Sequence, residues 1–139
     1  MFTSVSHRSA SAYQRVNVET AVSEASPHQL ANMLFEGFLQ AVASARYAMA
    51  KGDIASKGKQ ISRAVRFLDE GLKPALNLKD GGELALGLHR LYGYCTLRLT
   101  QANLHNDDAA LAEVINLISP VADSWKQIGD SDAASTRVM

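Results

Sequence analysis

One cysteine, Cys95, occurs in the 139 residues. A single thiol excludes a disulfide framework within the chain and fits a reducing compartment. Prolines number three, and aromatic residues make up 6% of the chain. Neither sign of charge is in excess, because fourteen Lys and Arg balance fourteen Asp and Glu. A net charge of zero exerts no long-range pull on nucleic acid or an anionic membrane, and it leaves little self-repulsion against association. No window approaches the roughly 20 apolar residues that span a bilayer, so membrane insertion is not expected. The opening MFTSVSHRSASAY lacks a basic stretch followed by an apolar run and does not read as a secretory signal. Alternating β-branched runs are scarce as well. These absences leave a single cytoplasmic domain, long enough to bury a core without metal or crosslinks.

What is present is helical periodicity. Residues 1–25 form a Ser-rich arm with scattered apolar residues, among them Phe2, Tyr13, Val16 and Val22. They follow no sustained core-facing period, so a mobile or partly helical arm is expected. Ser26-Pro27-His28-Gln29 is a helix start. The Ser hydroxyl can accept a first-turn N–H, Pro loses nothing at the first helical position, and Gln29 completes a capping box. That helix should stop near Gly52, and Asp53 can cap the next, which Pro74 should kink or end. A turn at 77–83 leads to a helix from about Glu83 to Leu104. His105-Asn106-Asp107 turns the chain again, with Asp107 or Asp108 as cap, and Pro120 should bend the last helix. The expected architecture is all-α: an antiparallel four-helix bundle over residues 26–129, preceded by the arm and followed by a disordered polar tail at 130–139.

Two of the helices carry more apolar surface than such a bundle needs. At about 100° per residue, Leu30, Leu34, Phe38, Ala41, Ala45 and Ala48 make one stripe of the first helix. Phe35, Leu39 and Val42 extend it to an arc of roughly 240°, against the roughly 100° that suffices for a surface helix. In the third helix Leu84, Leu88, Leu91, Cys95, Leu99 and Ala102 face one way. Leu86, Gly93, Leu97 and Leu104 face the other, with Arg90 beside them. Either further elements such as the arm cover these faces, or a partner lays helices into grooves there, or each does so in turn.

Signals for chemistry are weak. Cys95 falls on a core stripe and reads as a structural thiol. No Glu-x-x-His pair supports a di-iron site. His105, Asp107 and Asp108 read as a capped polar turn and not as metal ligands. Gly81-Gly82 lacks the Gly-Lys-Ser/Thr of a phosphate loop. Lys59, Arg63 and Arg66 read as a solvated helix side. No cofactor, metal or catalytic residue is assigned. Binding residues are expected instead: Phe35, Leu39 and Val42 on the second arc of the first helix, then Leu86 and Leu97. Tyr92 and Tyr94 suit a groove rim, having an apolar ring with a polar tip. Trp125 reads as a packing anchor.

Three blocks carry a family resemblance. They are Tyr13-Gln14-Arg15-Val16 running on to Ser26-Pro27-His28-Gln29-Leu30 and Met33-Leu34-Phe35-Glu36-Gly37; Gly81-Gly82-Glu83-Leu84-Ala85 with Leu88 and Leu91-Tyr92; and Leu117-Ile118 with Val121-Ala122-Asp123-Ser124-Trp125. In order and spacing, over about residues 11–128, they resemble the flagellar secretion chaperone FliS family. The resemblance implies an antiparallel helical bundle that binds the C-terminal segment of new flagellin in the cytoplasm. It also implies that the bundle holds back polymerisation and helps deliver the client to the flagellar export apparatus, whose gate components are further candidate partners. It implies that Tyr13 docks on the bundle or on client, and that the N-terminal segment can occupy part of the client groove. Phe35 stands where that family commonly has Tyr. A weak homodimer and a regulatory bundle that sequesters another protein factor are the other expectations the sequence allows.

Overall fold

The computed structural model describes residues 25–138, with side chains to residue 129. The arm, including Tyr13, lies outside the described residues. Four α-helices follow in order: α1, Pro27–Lys51; α2, Ile54–Arg66; α3, Gly82–His105; and α4, Asp108–Val138. Among the described residues there is no strand.

Local chemistry sets each boundary. Ser26 and Gln29 form the capping box: the Gln29 N–H donates to Ser26 Oγ at 3.1 Å and the Ser26 N–H to Gln29 Oε1 at 2.9 Å. Gly52, at φ +74°, ends α1 in a conformation that costs residues with a side chain. Asp53 Oδ1 then accepts the Ser56 N–H at 3.1 Å and caps α2. Pro74 stops this helix in an unforeseen way. From Phe67 to Leu72 the chain widens into a π-helical turn, in which the Lys73 N–H reaches back five residues to the Leu68 carbonyl at 2.8 Å. Pro74 itself has no donor to continue either ladder. In the next turn the Asn77 carbonyl accepts the Gly81 N–H at 2.7 Å and Asn77 Oδ1 accepts the Asp80 N–H at 3.0 Å. A Cβ on Gly81 would run into the Asn77 carbonyl oxygen, and Gly82 sits at φ +61°, a backbone conformation that strains residues with a side chain. Asn106 closes α3 in the left-handed region at φ 52°, and Asp107 Oδ1 accepts the Ala110 N–H at 3.3 Å to cap α4. The helix runs through Pro120 and remains helical backbone to Val138, past residue 129 where the sequence reading ended the bundle.

Successive helices run antiparallel, as the cross-contacts show. Gly37 of α1 faces Phe67, where a Cβ would lie 2.5 Å from the ring, and Leu34 faces Gly71. Tyr94 and Arg98 of α3 both meet Glu113 of α4. Lys57 of α2 is 5% exposed and donates to the Asn103 carbonyl at 3.0 Å and to Asn106 Oδ1, so its ammonium seals the C-terminal end of α3.

The core is one cluster drawn from all the helices. Phe38, Val42, Leu68, Tyr92, Cys95, Leu99, Leu111, Val114 and Ile118 are among its largest fully enclosed members. Each such aliphatic or aromatic side chain contributes about 1.5–3 kcal/mol on burial. Trp125 is half-buried and packs on this cluster, as its reading as an anchor required.

Candidate binding surface

The face that α1 turns inward is rotated from the one read off the sequence. Phe35, Phe38, Ala41, Val42, Ala45 and Ala48 are buried, whereas Leu30 is 37% exposed. This moves the centre of the buried arc by about 35° on the helical wheel. Phe35 and Val42, expected on a groove wall, therefore belong to the core of this structure. Leu39 is half-buried at the edge of the same cluster. On α3 the rotation is of similar size. Ala85 and Tyr92 turn inward with Cys95, Leu99 and Ala102, while Leu84 is 74% exposed. Tyr92, expected at a rim, is thus also a core residue. Burial pushes its phenol up to about 12 and the Cys95 thiol up to about 11. Neither group is poised for chemistry.

The outer face of α3 is exposed among the described residues. Leu86 is 46% exposed, Leu97 53% and Leu104 76%, and Arg90, Gly93 and Thr100 between them are exposed too. Leu86 and Leu97 are where the sequence placed them, on the side opposite Cys95. Tyr94 lies at the margin of this face, 42% exposed. Its hydroxyl donates to Glu113 Oε1 at 2.8 Å, the same oxygen that Arg98 Nε holds at 2.7 Å. These two donors hold the Glu113 carboxyl below its ordinary range, and the bond to Glu113 raises the Tyr94 phenol. The ring of Tyr94 is therefore fixed as a rim, with its polar tip already used.

A second recess lies between α1 and α4. It encloses about 570 Å³ over Ala43, Tyr47, Ala50 and Ile115. Arg46 spans it by donating twice to Asp108, from Nε at 2.8 Å and from Nη2 at 3.0 Å. A third, of about 430 Å³, lies over Leu34 and Phe67 between Arg63, Arg66 and Glu70. The Arg63 guanidinium stands 5.4 Å from the centre of the Phe67 ring. Sequence reasoning missed Tyr47, which is 62% exposed, and Phe67 beneath its arginine. Helical spacing carried a signal for Phe67, four residues after Arg63, whereas nothing in the pattern set Tyr47 apart from core aromatics.

Each recess sets apolar side chains beside charged ones: Leu34 and Phe67 with Arg63, Arg66 and Glu70, and Tyr47 and Ile115 with Arg46 and Asp108. Among the described residues no three His, Cys, Asp or Glu side chains group to hold a metal ion. No described helix is long and apolar enough to cross a membrane.

Comparison with known proteins gives the surface its context. The family model described as flagellar protein FliS matches residues 9–132. The flagellar secretion chaperone FliS of Salmonella typhimurium is 49% identical over 117 residues, which is 84% of this chain and 87% of that protein. Flagellar secretion chaperone FliSB of Pseudomonas aeruginosa is 43% identical over 116 residues, covering 84% and 91%. FliS of Bacillus subtilis is 34% identical over 121 residues, covering 87% and 86%.

Proposed function

The chain belongs to the FliS family of flagellar secretion chaperones, and from that premise we propose that its client is the C-terminal region of flagellin. The observation that carries this reading is the exposed outer face of α3, with Leu86, Leu97 and Leu104 open to solvent in a chain of zero net charge. In the cytoplasm a disordered client segment folds as amphipathic helices onto that face and onto the recess between α1 and α4. Leu39, Leu86, Tyr94 and Leu97 are the contact residues, and Phe35, Val42 and Tyr92 support them from the core. Burial of client Leu and Ile side chains drives binding at roughly 25 cal/mol per Å² of apolar area, less the cost of ordering the segment. The bound client cannot polymerise, because the surfaces it would use are covered, and it is handed to the export apparatus intact. No covalent or catalytic step is involved, so release needs only a competing surface.

Titration calorimetry of the full chain against a flagellin C-terminal peptide tests the reading. Micromolar or tighter binding with a negative heat-capacity change is expected. Absence of heat at micromolar concentrations, with the protein folded by circular dichroism, would sink it.

A further inference from the structure

The recess over Leu34 and Phe67 has fixed walls. Phe67 packs over Gly37 of α1, where a Cβ would lie 2.5 Å from the ring, and Leu34 packs over Gly71 of the π-helical turn, where a Cβ would lie 3.0 Å away. Each glycine seats the opposing side chain, so the space of about 430 Å³ between them is preformed. Its rim is positive. Within α2 there are four cations, Lys57, Lys59, Arg63 and Arg66, and no Asp or Glu. Lys57 turns to the end of α3. Lys59, Arg63 and Arg66 are exposed and fall within about 60° on the helical wheel. Among the described residues, Glu70 alone brings a carboxylate to the recess, 3.5 Å from Arg66 Nε. The two side chains of that pair are 73% and 67% exposed, so it is weak and open to exchange. The Arg63 guanidinium is held 5.4 Å from the centre of the Phe67 ring, which orders it in advance for a carboxylate. A chain of zero net charge thus sets a local positive excess beside an apolar pit.

We propose that this recess docks a short acidic segment of another protein. One large apolar side chain of the segment sits between Leu34 and Phe67, and carboxylates on either side of it meet Arg63 and Arg66, with Lys59 beyond. Lys59 and Arg66 are about 10 Å apart along the helix, the reach of about three residues of extended chain, so neighbouring carboxylates of one strand can span them. Charge complementarity chooses the occupant. The chain's own residues 1–24 carry Arg8 and Arg15 against Glu19 and Glu24 and are not acidic. A second copy docked through the same face would bring arginines to arginines. An anionic bilayer would answer the charge but has no use for a pit that fits one side chain. The recess lies between α1 and the end of α2, away from the outer face of α3, so the inference does not rest on the flagellin reading.

Fluorescence anisotropy of the full chain with a labelled peptide, Ser-Asp-Glu-Asp-Phe-Asp-Glu-Asp-Ser, tests this. One-to-one binding in the range of tens of micromolar is expected, at least threefold weaker when sodium chloride rises from 50 to 300 mM. Replacing the peptide's phenylalanine by serine, or its acids by lysine, should weaken binding at least tenfold. So should Arg63→Glu and Arg66→Glu, each checked for fold by circular dichroism. Lys51→Glu makes the same change in net charge about 25 Å along α1 from Leu34, beyond the screening length, and should shift affinity less than twofold. The Leu86→Asp/Leu97→Asp variant should bind this peptide like the parent, whatever it does with flagellin. No binding at one millimolar, equal affinity for the serine peptide, or equal loss in Lys51→Glu would overturn the proposal. So would three other results, each of which gives the recess a different occupant. Displacement of the peptide by phosphatidylserine vesicles would assign it to a membrane. Tighter peptide binding by Glu19→Lys/Glu24→Lys would assign it to the chain's own arm. Self-association of the parent that Arg63→Glu abolishes would assign it to a second copy.

Discussion

Lys57 shows what a single side chain does for this fold. Its ammonium is enclosed and satisfied by the Asn103 carbonyl and the Asn106 amide oxygen at the end of α3. Lys57→Met keeps the stem but strands both acceptors, and should cost about 1–3 kcal/mol in denaturant unfolding. Glu113 is a different case, exposed but held by Tyr94 and Arg98. Its folded pKa is depressed, so the stability it contributes is present above the ordinary carboxylate value of 4.5 and is lost as pH falls through the lower folded value. Thermal melts of Glu113→Gln should therefore lie below the parent at pH 7 and converge with it as pH approaches 3. A gap that persists unchanged at pH 3 would mean the carboxylate charge is not what ties Tyr94 to α4.

Among the elements, the close approach of α1 to the π-helical turn is the most constrained. A Cβ at Gly37 would lie 2.5 Å from the Phe67 ring. Gly37→Leu should thus destabilise by about 1–3 kcal/mol through overpacking, read as a lower denaturation midpoint with unchanged slope. The helix starts were legible in the sequence because each rests on local chemistry: Ser26 with Gln29, Asp53, the Gly81-Gly82 turn, Asp107. The π-helical turn was not, because it depends on how the last donors before Pro74 re-pair, which no residue type announces. The inward faces were legible only to within about 35°. On a helix with an apolar arc as wide as that of α1, composition does not say which edge meets the neighbouring helices. Packing into the common core cluster decided for Phe35 and Val42, while Leu30 stays partly exposed. Leu86 and Leu97 were readable because they sit opposite Cys95, far from either edge.

For the whole molecule, the outer face of α3 is the candidate wall for a client helix, and the recess between α1 and α4 is the second surface open to it. Zero net charge suits such binding, since little repulsion opposes association.

The central claim is that this face keeps flagellin from assembling, and seeded filament growth followed by light scattering tests it most directly. Flagellin monomers mixed with an equimolar amount of the full chain should fail to elongate seeds. The Leu86→Asp/Leu97→Asp variant, both sites being exposed and the fold unchanged by circular dichroism, should let growth proceed at close to the rate without chaperone. Elongation at full speed in the presence of the folded parent chain, or equal suppression by the variant, would contradict the account.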